Sequence, residues 1–339
     1  MAIRVIVAGA GTRGNDWLRE VQADPDCRVV ACVDVDAKAR ARAGARWSIP
    51  EQFRFPDLDE AIRQAECEAV IIATPPQHHA RNCESAISFG RAVLVEKPFT
   101  LNLKDAIRIV ELAEQAHIPL VVGQNYRYLR SFRTCRRVVR EGLLGRIGIV
   151  TLQYYRVPHE MAKWLTQSEH NVLWGMAVHH LDALRFMLQQ EVRGVMAESF
   201  CLPWSQAADG ASLQLLLKFD GDTHGTYAAS YESSGHEFFE RGQEFYARLV
   251  GELGTLHVFQ RWLVLCPSGK LPRLVRRGPR SFTEEAVLLR QLKEAVSSGR
   301  EPESSGRDNL QTMAIVEACV QSATQHCWKN PQELLGNSQ

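Results

Sequence analysis

The chain has 339 residues, 45% of them hydrophobic, and its 40 Lys and Arg balance 39 Asp and Glu to a formal charge of +1. That length suits two domains, since single domains usually run about 100–200 residues. Balanced charge without a long single-sign run argues against a nucleic-acid surface built on phosphate neutralisation and against a basic membrane patch, and no 18-residue apolar run offers a membrane span. Nine scattered cysteines, none as Cys-x-x-Cys, read as reduced thiols in a cytoplasmic protein. Cys32 and Cys201 sit in apolar runs as small core residues.

Ile3 to Ala8 reads as a buried strand and leaves no room for a secretory h-region before Gly9. It runs into Gly9-Ala10-Gly11-Thr12-Arg13-Gly14, and beyond that Trp17, Leu18 and Val21 recur at helical spacing. A Gly-x-Gly-x-x-Gly element between a strand and a helix is the dinucleotide-binding context. Gly9 allows the turn, Gly11 lets a pyrophosphate reach the backbone, and Gly14 lets helix and strand pack closely. The second strand, Val29 to Val33, ends in Asp34, 20 residues beyond Gly14. That is the distance expected of the acid that binds adenosine ribose hydroxyls, although an N-cap would use the same residue type. A carboxylate there repels a 2′-phosphate, so NAD is expected and NADP is less favoured. Arg13 and Lys38 are the residues that could reverse this by pairing with a phosphate.

Asp57 to Ala65 reads as a short helix and Ala69 to Ala73 as a strand ending in Thr74-Pro75-Pro76-Gln77-His78-His79. Ala80, Cys83 and Ile87 mark the next helix. Val93, Leu94 and Val95 form a strand that stops at Glu96-Lys97-Pro98, because proline lacks the N–H and fixes φ. Glu96 and Lys97 are thereby expected at a strand-end rim, where open α/β sheets bind ligands. Asn102 is the N-cap of a helix carrying Ala106, Ile107, Val110 and Ala113, and Pro119 to Gly123 is a further strand. Strands alternating with helices over 120 residues imply a parallel, doubly wound sheet.

These elements occur in order as Gly9 to Gly14, Ala73-Thr74-Pro75-Pro76 with His79, and Glu96-Lys97-Pro98. Together they resemble the Gfo/Idh/MocA oxidoreductase family, the relatives of glucose–fructose oxidoreductase and inositol dehydrogenase. The resemblance spans nearly the whole chain. It implies an α/β protein: a Rossmann domain over 1–123 and an α+β domain over 124–339 with an open, mostly antiparallel sheet for substrate contacts and oligomer formation. It also implies that Thr12, Thr74, Pro75, His79 and Glu96 line the cofactor with the glycines, that Lys97 lies beside nicotinamide and substrate, and that the Lys97–Pro98 bond is often cis. A homodimer or homotetramer is implied on the same ground.

The second half fits that expectation. Ile147 to Arg156 reads as a strand, and Ser212 to Phe219 alternates cleanly, with Leu213, Leu215, Leu217 and Phe219 on one face. Asp220-Gly221 turns into Thr223 to Tyr231. Arg248 to Val250, Leu256 to Phe259 and Trp262 to Leu265 add strands. Ser281-Phe282-Thr283-Glu284 spells a capping box before a helix, Ser305 to Ala323 is another helix, and the tail after Asn330 is expected to fray.

The catalytic candidate lies in Leu173-Trp174-Gly175-Met176-Ala177-Val178-His179-His180-Leu181-Asp182. The resemblance implies an Asp, a His four residues later, then x-x-Asp. His179 and Asp182 fit the last two, and Gly175 stands where the leading Asp would be. Glu160, Glu169 or a water could take that place. Oxidising an alcohol needs a base for the hydroxyl proton, and histidine titrates in the right range. Lys97 and His179 are therefore expected as the catalytic pair. Tyr126, Arg127, Tyr154, Tyr155, Arg156 and Trp164 are candidates for the substrate side, Arg127, Tyr155 and Trp164 foremost, because aromatics and guanidinium suit a hydroxylated sugar or cyclitol. His180 is expected to be structural, and Asp182 to pack or cap its helix. No metal site is expected, because adjacent histidines project in different directions. The function expected is hydride transfer between a nicotinamide and a hydroxyl of a sugar, cyclitol or small polyol. The glycine at 175 leaves two alternatives: a nucleotide- or sugar-binding regulator without turnover, and NAD-dependent glycoside cleavage.

Overall fold

The computed structural model describes residues 2–157, 169–205, 207, 209–233, 243–278 and 282–336. They fall into two compact units, Met1–Asn125 with Phe282–Leu310, and Tyr126–Ser281 with Gln311–Gln339. The segment 282–310, which the sequence reading gave to the second domain, clusters with the first. Its place follows from its contacts: Lys293 pairs with Asp24 at 2.6 Å, and the Ser304 hydroxyl donates to the Val122 carbonyl at 2.7 Å.

In the first unit the strands β1 (Ile3–Ala8), β2 (Cys27–Val33), β3 (Arg54–Phe55), β4 (Ala69–Ile72), β5 (Ala92–Glu96) and β6 (Leu120–Gly123) form one sheet in the order β3-β2-β1-β4-β5-β6. Every pairing is parallel. Val5, Ile6, Val7, Val70, Ile71, Val93, Leu94 and Val95 are fully buried, as expected of strands covered on both faces. The crossovers are α1 (Thr12–Ala23), α2 (Ala37–Trp47), α3 (Leu58–Gln64), α4 (His79–Ser88) and α5 (Leu103–Gln115). Their starts are chemically marked: Asp36, Asp57 and Asn102 each accept a backbone N–H two or three residues on. The helix Glu284–Ser298 is capped by Thr283, whose hydroxyl accepts the Ala286 N–H at 3.0 Å. Ser281, the cap expected from the sequence, lies outside the described residues.

The second unit is built on an eight-stranded sheet of β7 (Ile147–Arg156), β8 (Val192–Phe200), β9 (Ser212–Phe219), β10 (His224–Ser230), β11 (Gln243–Gly251), β12 (Gly254–Phe259), β13 (Leu263–Pro267) and β14 (Arg273–Leu274). All its pairings are antiparallel except β7 with β10. One sheet face is buried through the alternation of β9, where Leu213, Leu215, Leu217 and Phe219 point inward. The unit's helices include α6 (Arg130–Arg140) and α7 (Val178–Leu188), all of whose residues are buried. A five-residue π-turn, Leu173–Ala177, leads directly into α7. Where fraying was expected after Asn330, a further helix forms, Pro331–Gly336. The preceding residues are anchored to β8, with reciprocal backbone bonds between Val195 and Lys329.

Candidate active site

The candidate site of the first unit is assembled at the carboxyl ends of its parallel strands. After β1, Gly9 has a φ of +102°, and a Cβ there would lie 2.4 Å from the Ala73 carbonyl oxygen. A Cβ on Gly14 would lie 1.8 Å from the Gly9 oxygen, so these two glycines are required by packing. Gly11 differs: nothing lies within 4 Å of where its Cβ would be, and no side chain caps the helix it opens. The first turn of α1 therefore presents its N–H groups and positive dipole end over open space, the arrangement that receives phosphate. At the end of β2, the Asp34 carboxylate accepts the Ala10 N–H at 2.7 Å and the Asp36 N–H at 2.9 Å. It is tied directly to the glycine loop and remains half-exposed. These residues fit a dinucleotide.

The end of β5 holds the charged elements. Glu96 is buried, and one of its oxygens accepts from Arg13 Nη2 at 2.6 Å, Arg13 Nε at 3.1 Å and Trp17 Nε1 at 2.8 Å. Arg13 also bonds Asp16 and Glu285, each at 3.1 Å, and Asn125 Nδ2 reaches the same Glu285 oxygen at 3.1 Å. Burial opposes the Arg13 charge, but Glu96 and Glu285 more than compensate and raise its pKa. Lys97 follows Glu96 immediately. Burial pulls its amine down to about 8, with Glu96 resisting and Arg13 assisting. The Lys97–Pro98 peptide is cis.

His79 is 1% exposed. Its Nδ1 lies 2.9 Å from the Pro98 carbonyl and its Nε2 2.8 Å from the Thr74 carbonyl. One imidazole thus bridges the loops that follow β4 and β5. A neutral ring can donate to only one of the two; burial pushes its pKa down while both carbonyls push it up. Asn82 Nδ2 holds the Thr74 hydroxyl at 3.1 Å.

In the second unit, His179 is 4% exposed near the start of α7. The Tyr126 ring stacks on it, with centroids 4.1 Å apart and planes 13° from parallel. His180 points elsewhere: its Nδ1 bonds the Tyr227 hydroxyl at 3.0 Å, among the rings of Tyr154 and Phe245. Asp182, fully buried, forms a bidentate pair with Arg127 at 2.5 and 2.7 Å and accepts the Thr312 hydroxyl at 2.9 Å.

Comparison with known proteins decides what this arrangement belongs to. Residues 3–124 match the oxidoreductase family with an NAD-binding Rossmann fold, and residues 132–257 match the GFO/IDH/MocA C-terminal domain. The chain belongs to the Gfo/Idh/MocA oxidoreductase family. The D-apiose dehydrogenase of Paraburkholderia graminis is 26% identical over 93% of this chain and 86% of its own length. The inositol 2-dehydrogenase of Rhizobium meliloti is 25% identical over 96% and 98%. A crystal structure of an oxidoreductase from Agrobacterium radiobacter with NAD+, L-tartaric acid and magnesium shares the fold, with TM-score 0.89 at 22% identity over 98% of this chain and 100% of that one. The enzyme class expected from the sequence, a nicotinamide-dependent dehydrogenase, stands with the family.

Within this Gfo/Idh/MocA chain, several expected roles are relocated by the structure. Glu96 is not a rim charge: it is buried, and two side chains of α1 bond one of its oxygens in the interior. Arg13 is committed to three carboxylates rather than presented to a phosphate. Lys38 is exposed, and its backbone N–H serves the cap of α2. His79 braces two loops with both ring nitrogens instead of offering one outward. Arg127 is buried and pairs with Asp182 through Nε and Nη2 inside the second unit. On β7, Tyr154 faces His180 at 5.0 Å, and strand alternation turns Tyr155 to the opposite face. Trp164 and Glu160 lie outside the described residues, and Glu169 is exposed.

Sequence reasoning missed Trp17, Glu285, Tyr126 as the partner of His179, and Arg40, whose guanidinium reaches the Asp34 carbonyl. Only the Trp-Leu helical spacing hinted at the first. Glu285 and Tyr126 depend on contacts between distant segments, and Arg40 meets Asp34 only six residues away. Among the described residues, no three His, Cys, Asp or Glu side chains gather as a metal site, and no helix is long and apolar enough to cross a membrane.

Proposed function

We propose that the chain is an NAD-dependent dehydrogenase that moves hydride between the nicotinamide and a hydroxyl-bearing carbon of a sugar, cyclitol or related small polyol. The observation that carries this reading is Lys97, an amine brought down to about 8 at the end of β5, in the same unit as the open phosphate cradle at Gly11. When bound, the nicotinamide supplies the two-electron acceptor. Gly11 and the first turn of α1 would hold its pyrophosphate, and Asp34 its adenosine ribose hydroxyls. Lys97 as ammonium donates to the substrate oxygen and stabilises the developing alkoxide, while His179 accepts the hydroxyl proton. The dehydrogenase relatives that act on D-apiose and inositol support a small hydroxylated substrate. NAD is preferred over NADP because Asp34 repels a 2′-phosphate and the Arg13 charge is already matched by carboxylates. A homodimer or homotetramer remains part of the reading.

The test is NADH formation over a panel of sugars and cyclitols, with Lys97→Met as the inactive control. Turnover lost in the variant supports the reading. Glycoside cleavage without net NADH would replace it with a cofactor-recycling reaction. A wild type that binds NAD but turns over nothing, while Gly175→Asp does, would replace it with a regulator; Gly175 is the residue that motivates that second reading.

A further inference from the structure

The family resemblance leads one to expect a carboxylate one helical turn before the histidine, and this chain has Gly175 there. An imidazole acting as base must be held at one ring angle, because misplacement of about 1 Å can cost about a hundredfold in rate. Rings and hydrogen bonds from two elements fix His180, namely Tyr227 on β10 and Tyr154 on β7. His179 is met differently. The turn Asn125–Tyr128 places two consecutive side chains against α7. Arg127 grips Asp182 through two short bonds, and Tyr126 lies flat on His179. His179 and Asp182 are three residues apart, on one helical face, so the ion pair fixes the turn and the turn fixes the ring. Tyr126 meets His180 only obliquely, at 5.9 Å and 53°. The stack is specific to one histidine of the pair.

We propose that Tyr126 is the positioning residue of His179, its stacked ring doing in this chain the orienting work that an aspartate at 175 would do. The proposal rests on His179 being the base of the dehydrogenase reaction proposed above. It predicts that flatness matters and the hydroxyl does not. Offset-stacked aromatic pairs are held by face geometry as well as by buried area, so phenylalanine preserves the device and leucine, of comparable bulk, abolishes it.

The experiment uses the full chain with Tyr126→Leu and Tyr126→Phe, read by steady-state kinetics and by the ring resonances of ¹³C-labelled histidine, with His179 assigned through His179→Gln. In Tyr126→Leu, kcat falls about ten- to a hundredfold, KM changes little, and the His179 signal loses its upfield ring-current shift. Tyr126→Phe restores both. Wild-type turnover in a folded Tyr126→Leu, or an unmoved His179 resonance, overturns the proposal. Should the leucine variant not fold, the wild type decides: cross-ring Overhauser effects between Tyr126 and His179 support it, and their absence overturns it. Neither resonance measurement needs a substrate. A chain that shows the stack but oxidises nothing on the panel therefore fails the dehydrogenase reading while leaving the stack established as the ring's holder.

Discussion

Arg127 and Asp182 form a bidentate ion pair with both side chains buried, directly beside the stacked Tyr126 and His179. Asp182 is also bonded by Thr312, and Thr312 accepts from Arg185, which in turn pairs with Glu191. The pair therefore belongs to a polar network that joins the turn Asn125–Tyr128, α7 and the helix Gly306–Gln325. A fully satisfied network of this kind specifies one arrangement of the elements it joins.

Removing one partner leaves the other charge buried and uncompensated, which typically costs about 3–5 kcal/mol. Asp182→Leu and Arg127→Met should each lower the urea midpoint sharply. The double variant Arg127→Met with Asp182→Leu should recover much of the loss, because a buried pair replaced by apolar groups is often nearly neutral. Strict additivity of the two single effects would show that the residues do not act as a pair.

Lys97 should carry a measurable acid–base signature. Its folded pKa near 8 lies below the ordinary lysine value of 10.5, so the folded state binds fewer protons than the unfolded state between those pH values. Stability should therefore rise with pH across that window, since the unfolded state there takes up more protons. Lys97→Met should flatten this rise. Paired urea titrations at pH 7.5, 9 and 10.5 check it. An unchanged slope in the variant would mean that the lysine titrates normally.

Much of the fold was legible because its signals are local. Ile3–Ala8 and Ile147–Arg156 match their expected ends, and Asn102 caps the helix it was read to cap. Hydrophobic period, proline and glycine punctuation, and capping chemistry act over a few residues and can be read directly. What escaped depends on partners far along the chain. Glu96 looked like a rim charge because nothing near it in sequence announces Trp17 and Arg13. The pairing of Arg127 was invisible because its partner Asp182 lies 55 residues away. Adjacent tyrosines on a strand, such as Tyr154 and Tyr155, do not reveal in sequence which face is inside. The helix Pro331–Gly336 was read as frayed because its anchor, Val195 against Lys329, is a tertiary contact.

Asp34 should set the cofactor. A hydrogen bond to a charged group contributes about 1.5–3 kcal/mol, so Asp34→Ser should weaken NAD binding roughly ten- to a hundredfold by calorimetry. The same change removes the repulsion against a 2′-phosphate and leaves Arg40 next to the position. NADP affinity should therefore rise in the variant. If NADP binds the wild type as well as NAD does, the carboxylate is acting as a structural tie to Ala10 and Asp36 and not as a selector.

The glycines of the loop should separate binding from folding. A methyl at Gly14 would sit 1.8 Å from the Gly9 carbonyl oxygen, a backbone atom that cannot move aside without shifting β1 against α1. Overpacking of this kind costs about 1–3 kcal/mol, so Gly14→Ala should lower the melting temperature and NAD affinity together. At Gly11 a methyl meets nothing within 4 Å, so Gly11→Ala should leave the melting temperature of the unliganded chain unchanged. It should nevertheless weaken NAD binding, because the methyl enters the space over the first turn of α1 that the pyrophosphate would use. Thermal unfolding with and without NAD reads both effects in one experiment. A Gly11→Ala variant stabilised by NAD as much as the wild type would place the phosphates somewhere other than this helix start.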